Sequence, residues 1–339
     1  MRKIWLRAWI FIERENLHRL SLLILGLVFV SAIALSAVEP DLSVADGIWW
    51  SIVTLTTVGY GDIAPATLLG RTVATVNMLV GVGLLAILSA TLASLLVNLR
   101  LKEDRGMGDY SFRNHIIICE WNGRTASIVK ELRLAPQTEL TPIVIIANLE
   151  HNPSRAERVY LIQGNVNDDT LTRANIKEAA TVLILGDDRL EDVARDAKVI
   201  LSTLTVESLN QAVYTVVELV DETHAITCRR AHANEIIVGS EITSMLMSQA
   251  ALNHGISTVI SQLLTAESDN QLYKVQVPKS KVGTSFLDAM VYMKERYNST
   301  VVALQPGHQA EVLSNPPNDT LLGAEDYLIV IAKQHPQLQ

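Results

Sequence analysis

The sequence predicts a two-part molecule: an all-helical membrane-embedded part, then a doubly wound α/β part ending in a small α+β lobe. Three observations carry this. Leu20–Val38 and Thr72–Leu99 are runs of 19 and 28 residues without a charge, beyond the ~18 that license a spanning helix. From His115 onward, short apolar runs alternate with amphipathic stretches, the pattern of a parallel sheet with crossover helices. Charge divides at the same place: residues 1–110 balance nine Lys+Arg against nine Asp+Glu, so the 19 basic and 27 acidic residues of 111–339 carry the whole net charge of −8. An acidic soluble part argues against nucleic-acid binding.

The membrane part comes first. Residues 1–19 hold Trp5, Trp9 and Phe11 among basic residues, the pattern of an interfacial amphipathic helix. A cleaved signal peptide fits the first run poorly, because charged Glu13-Arg-Glu15 precede it and it is too long. Within a membrane domain of 20–99, the spans are set at 20–38 and 72–99, with a short re-entrant helix at 44–56. Basic residues cluster before the first span and after the second, while the connection carries four acids and only Arg71. The positive-inside rule therefore puts both termini in the cytoplasm of a multi-pass protein of the plasma (inner) membrane, in contact with lipid. No span carries repeated arginines, so strong voltage gating is not expected.

Residues 57–62 read Thr57, Val58, Gly59, Tyr60, Gly61 and Asp62. The carbonyls of Thr57–Tyr60 can line a narrow tube and replace the water shell of a potassium ion, and glycines at 59 and 61 permit the positive φ that aims them. The run Thr54-Leu-Thr-Thr-Val-Gly-Tyr-Gly-Asp62 between two spans resembles the potassium-channel signature without a mismatch. That resemblance implies a homotetramer, since one chain with two spans cannot enclose a pore. It also implies that Gly81 or Gly83 is a gating hinge; close helix packing through small residues is the alternative. Trp49, Trp50 and Tyr60 are expected either as a cuff around the filter or, for the tryptophans, as interfacial anchors. Polar Asn77, Ser89, Thr91 and Ser94 are expected to face the water-filled cavity.

Residues 100–113 read as a linker, and residues 114–239 as a Rossmann-like lobe. Strands are expected at 115–119, 143–147, 159–163, 181–185, 212–218 and 235–238, and helices at 125–134, 171–178, 191–204 and 224–231. The first strand-to-helix turn reads Glu120, Trp121, Asn122, Gly123, Arg124 and Thr125. None of the three fingerprint positions (120, 122, 125) is glycine, and Asn148 stands where an acid would hold ribose. The fold signal is kept while the signal for NAD is lost; an adenine nucleotide in another pose stays open. Cys119 and Cys228 make neither a metal framework nor, in a cytoplasmic location, a disulfide.

Pore, linker, degenerate Rossmann lobe and C-terminal tail together resemble a potassium channel with a cytoplasmic RCK (regulator of K+ conductance) domain, of the MthK type. The resemblance implies a crossover helix pair within 240–265 (Ser240–Ala251 and Ile256–Leu264) whose apolar face (Ile242, Met245, Leu246, Ala250, Leu252) dimerises two such domains. It further implies a small C-terminal lobe over 266–339, with strands at 273–277 and near 322–331. Acids follow the fourth strand (Asp187, Asp188, Glu191, Asp192) and the fifth (Glu218, Asp221, Glu222). These are candidate calcium ligands by resemblance and solvated loop acids otherwise. The expected function is a potassium-selective channel, not an enzyme, gated by a divalent cation (Ca2+), a nucleotide, or both at a ring of RCK domains. The alternatives are a membrane-anchored dinucleotide-dependent enzyme or redox sensor, and more weakly a Trk-like transport subunit. Met107 is read either as an ordinary residue or as an internal start giving extra soluble copies.

Overall fold

The computed structural model describes residues 17–307 and 310–338. All but the last three residues of the expected interfacial helix lie outside them. The chain divides into two units, residues 1–102 and 103–339.

The first unit holds α1 (Leu17–Val38), α2 (Val44–Leu55) and most of α3 (Leu68–Asp104). Both α1 and α3 are long and apolar enough to cross a membrane. A capping box launches α2: Asp46 N donates to Ser43 Oγ at 3.2 Å, and Ser43 N donates to Asp46 Oδ2 at 3.1 Å. Helix α2 lies against α1 so closely that a Cβ on Gly47 would sit 2.7 Å from the Ala32 carbonyl oxygen. Trp50 is buried with Leu35 and Ala74. By contrast Phe29, Val30 and Leu79 are more than half exposed, an apolar surface that needs lipid or further copies around it. Helix α3 starts one turn before the charge-free run, because Thr67 Oγ1 accepts from Gly70 N at 2.9 Å and Arg71 rides exposed in the first turn.

In the second unit, β1 (His115–Cys119), β2 (Ile143–Ala147), β3 (Val159–Gln163), β4 (Ala179–Ile184), β5 (Tyr214–Leu219) and β6 (Glu235–Val238) form one sheet in the order β3-β2-β1-β4-β5-β6. All its pairings are parallel. The order reverses between β1 and β4, which opens a crevice at their C-terminal ends. Helices α4 (Gly123–Leu134), α5 (Asp168–Arg173), α6 (Asp192–Leu209) and α7 (Ala225–Arg230) make the crossovers, while residues 148–158 join β2 to β3 without a helix.

Three expectations change here. The helix expected over 171–178 is broken after α5, because Asn175 turns left-handed (φ 57°) and its Nδ2 donates to the Phe112 carbonyl at 2.7 Å. The helix expected over 224–231 opens as a 3-10 turn at Glu222–His224 before α7. The segment read as a linker is helical to Asp104 and then docked. Gln163 N donates to the Gly106 carbonyl at 3.0 Å, and Arg173 donates to the carbonyls of Gly106 (2.7 Å) and Gly108 (3.0 Å). Tyr110 and Phe112 pack on Tyr160 at 5.0 and 4.8 Å. This strap runs along edge strand β3. At Gly106 (φ 66°) a Cβ would collide with Gln163 N, so glycine is required there.

Beyond the sheet come α8 (Gly239–Leu252) and α9 (Ile256–Leu264), neither with a single buried residue. The C-terminal lobe packs α10 (Phe286–Tyr297) on a sheet of β7 (Gln271–Gln276), β10 (Tyr327–Ala332), β8 (Thr300–Gln305) and β9 (Leu313–Ser314), in that order. Of these, α10, β8 and β9 were expected only as parts of an α+β lobe and were not placed in the sequence.

Candidate functional site: the filter loop and the sheet crevice

The filter loop leaves the C-terminal end of α2. Thr56 Oγ1 donates to the Ile52 carbonyl at 2.8 Å, and the amides of Val58 and Gly59 donate to the Val53 carbonyl at 3.1 and 3.2 Å. Thr57, Gly59 and Gly61 have φ of 61°, 57° and 74°. The two glycines take this region freely, whereas a β-branched threonine there carries strain of the kind found at functional sites. Trp49 stacks on Tyr60 (6.1 Å, 8° between planes), and its indole N–H donates to Asp62 Oδ2 at 2.8 Å. The two tryptophans therefore part: Trp49 meets the filter, and Trp50 belongs to the apolar core of the unit.

Behind the loop, the Glu39 carboxylate (6 % exposed) accepts from Thr67 N and Thr67 Oγ1, both at 2.8 Å, and a Cβ on Gly70 would collide with it. In the sequence Glu39 counted only as a charge ending a span and as one of the four acids of the connection. Asn77 does not stand open to a cavity as expected: it is 1 % exposed, and its Oδ1 accepts from Ser31 Oγ at 2.9 Å. Its register on α3 turns it toward α1. The two hinge candidates differ as well. A Cβ on Gly81 would lie 2.7 Å from Leu55 Cδ1, whereas one on Gly83 would meet nothing within 4 Å.

At the crevice, Glu120 follows β1 with φ 80°, and its side chain turns into a network of ion pairs. Lys198 Nζ lies 2.7 Å from Glu120 and 2.8 Å from Asp187, and Arg189 reaches Asp187 at 2.8 Å and Glu120 at 3.4 Å. Bonds from Arg189, then from Lys198, hold the Asp187 carboxyl far below the usual carboxylate range against the opposing cost of burial. Burial pulls Lys198 down, but its bonds to Asp187 and Glu120 win and raise it.

A second group surrounds Arg124, which forks onto Asp188 (2.6 and 3.2 Å) and reaches Glu218 at 2.6 Å through Nε. Glu218 also accepts from Gly186 N at 3.0 Å. Asn122 caps α4, accepting from Arg124 N and Thr125 N at 2.9 and 3.0 Å, and donates to the Gly186 carbonyl. Gly123 has open space at its Cβ position. Trp121 walls a separate cavity of about 370 Å³ with Val129, Arg133 and Arg155, and Asn148 is exposed just past β2. Of the remaining acids, Asp221 accepts from Thr223, while Glu191 and Glu222 face solvent.

Sequence reasoning missed the cations: Arg189, Arg195 and Lys198 follow the acids closely and could have been weighed with them. Buried Asp196 was missed too. It accepts from Val220 N (2.9 Å), Asp221 N (3.0 Å) and His224 Nδ1 (2.8 Å) and pins the exit of β5. Among the described residues, no three Asp, Glu, His or Cys side chains are grouped to hold a metal.

Fold and sites define a class: a two-span module whose 57–62 loop carries the potassium-filter sequence, followed by a Rossmann-type lobe. The ion-channel family model matches residues 20–98. The model described as the calcium-activated potassium channel slowpoke-like RCK domain matches 111–217. The calcium-gated potassium channel TvoK of Thermoplasma volcanium is 32 % identical over 296 residues, 86 % of this chain and 83 % of that protein. The putative potassium channel protein YugO of Bacillus subtilis is 31 % identical over 337 residues, 96 % and 97 % of the two chains. The human SLO3 gating ring has the same fold (TM-score 0.52, 15 % identity, 65 % of this chain), although this chain spans only 44 % of its length. The chain belongs to the family of two-span potassium channels that carry an RCK domain, and it is a membrane protein.

Proposed function

We propose that four copies surround one axis, that Thr57–Tyr60 of each supply the potassium sites, and that the RCK domains pair through α8 and α9 into a ring that gates the pore. The observation that carries this is the loop of 57–62 at the C-terminal end of α2, where helix dipole and carbonyls both favour a cation. The pairing is supported by Ile242, Met245 and Leu252, which are 54, 57 and 78 % exposed on one helix. Both termini are assigned to the cytoplasmic side of the plasma (inner) membrane from the flanking charges. A ligand opens such a ring only by binding its open form better than its closed form. With its crevice given over to ion pairs, the lobe reads as regulatory and not as an enzyme.

Calcium gating is stated in the name of the Thermoplasma relative. In this chain the seven candidate acids (Asp187, Asp188, Glu191, Asp192, Glu218, Asp221, Glu222) do not offer a calcium cage. A divalent cation needs six to eight oxygens, and it reaches Glu218 and Asp188 only by displacing Arg124. Glu120, at the head of the nucleotide turn, likewise sets a carboxylate where pyrophosphate needs open amides. We therefore assign ligand gating to the ring without assigning the ligand to this crevice.

Potassium flux into liposomes holding the purified protein tests the reading, with sodium as the control ion and millimolar calcium present or absent. Potassium-selective flux is expected in at least one condition. Its absence in both, and with added nucleotides, overturns the channel reading. Selective flux indifferent to calcium keeps the pore and removes calcium as the ligand.

A further inference from the structure

Three polar side chains are buried together in the pore unit, and two of them hold hydrogen-bonding atoms with no partner. Ser31 on α1, Ser51 on α2 and Asn77 on α3 are 5, 0 and 1 % exposed. Ser31 Oγ donates to Asn77 Oδ1 at 2.9 Å, which leaves Asn77 Nδ2 and Ser51 Oγ without a protein partner. A hydroxyl in a helix usually donates one turn back, as Thr56, Thr72, Thr75 and Thr91 do at 2.8, 3.0, 2.8 and 2.8 Å. Ser51 does not use that outlet.

Helix register turns the two orphans toward one junction of the three helices. Trp50 shares a core with Ala74, and Leu55 fills the space before Gly81. Ser51 is one turn before Leu55, and Asn77 is one turn before Gly81. Ser51 and Asn77 therefore stand at matching heights between those two points, and Gly47, one turn before Ser51, lies against Ala32 beside Ser31. At membrane depth no bulk water satisfies such groups, and leaving them unmet costs more than a hydrogen bond is worth. A buried water needs roughly two to four polar partners. Asn77 offers a donor here, and Ser51 offers both a donor and an acceptor.

We propose that Ser51 and Asn77 hold one water molecule between α2 and α3, and that with Ser31 they form a polar pin tying the helix that carries the filter to both spans. Asn77 is then a positioning residue: through the pin it fixes α2, whose end supports Thr57–Tyr60. The effect on conduction rests on the channel reading above, whereas the water site does not.

The test uses the full chain in lipid bilayers with ¹⁵N-labelled asparagine, followed by solid-state NMR transfer of magnetisation from water to side-chain amides. The Asn77 signal is identified by its loss in Asn77→Leu. Strong water transfer to this amide is expected despite its burial, and Ser51→Ala is expected to reduce it severalfold. No transfer in the wild type, or undiminished transfer in Ser51→Ala, overturns the site. Ser51→Ala, a small change that preserves packing, is also expected to lower the potassium-over-sodium flux ratio by about tenfold while assembly and thermal stability stay near wild type. An unchanged ratio alongside a lost water signal overturns the positioning role. A water signal in a protein that passes no potassium supports the site and counts against the channel reading alone.

Discussion

The filter loop and the sheet crevice both follow the C-terminal ends of regular elements, and both looked from residue types like places for a cation. They differ in which atoms are available. In the proposed filter the working groups are backbone carbonyls, and the side chains of Val58 and Tyr60 are left 55 and 68 % exposed on this chain. In the crevice the candidate atoms are carboxylates, and basic side chains of the same lobe already hold Asp187, Asp188 and Glu218. Glu120 meets Lys198 across 78 positions and Arg124 meets Asp188 across 64. A site made of backbone is governed by local rules of φ and helix ending. One made of side chains depends on which opposite charge the fold delivers.

The sharpest way to break the comparison is on the filter side. Gly59→Ala places a Cβ at φ 57°, costing roughly 1–2 kcal/mol in each chain. Potassium flux is expected to fall to background while unfolding of the soluble unit stays unchanged. Retained selective flux would remove the role given to backbone conformation.

On the crevice side, Lys198→Met removes one of the two cations that hold Glu120 and Asp187 and leaves Arg189 alone with them. Losing one charge-assisted partner of this kind costs about 2 kcal/mol. Chemical denaturation should show that loss in the soluble unit, with the potassium-over-sodium flux ratio unaltered. A wild-type denaturation midpoint would mean that the network is ornamental.

Acid should act on the crevice and its sheet before the filter. His115 is fully buried, its Nε2 is 2.8 Å from the Ala174 carbonyl, and burial lowers its pKa from the ordinary 6.5. A depressed histidine binds more protons unfolded than folded, so its contribution is complete above about 6.5 and fades as pH falls toward the folded value. Asp187 has the same sign at lower pH: its contribution is full above the ordinary 3.8 and is lost as pH falls through its depressed folded value. Thermal melts of the soluble unit should therefore weaken in two stages, first below about pH 6.5 and again in strong acid. His115→Leu is expected to remove the first stage alone.

The smallest effect sharpens the comparison. Arg124→Gln releases Asp188 and Glu218, and calcium binding of roughly millimolar strength is expected to appear in titration calorimetry. If the variant binds no more calcium than the wild type, Arg124 is not what closes the crevice to a divalent ion.

Much of the fold was legible because it follows periodicity. Charge-free runs mark α1 and α3, and apolar runs mark all six strands of the parallel sheet. The break at Asn175 was not legible, since it depends on a bond to Phe112. The docking of residues 104–112 escaped for the same reason: a polar, glycine-containing segment reads as loose until its partners, Gln163, Arg173 and Tyr160, are known. Asn77 was read as lining water because polar residues in a span usually do, and only the register of α3 against α1 turned it inward.

The sequence by itself determined the two long apolar helices, the backbone of the 57–62 loop and the sheet. Each is specified by short-range features: unbroken apolar length, a Gly-Tyr-Gly backbone at a helix end, strand and helix periods. Tertiary structure decided the rest. It set Trp49 on Tyr60 and Trp50 in the core, paired the crevice acids with distant cations, buried Ser51 and bonded Ser31 to Asn77. Those outcomes rest on partners brought together from separate elements, and no local pattern encodes which partner arrives.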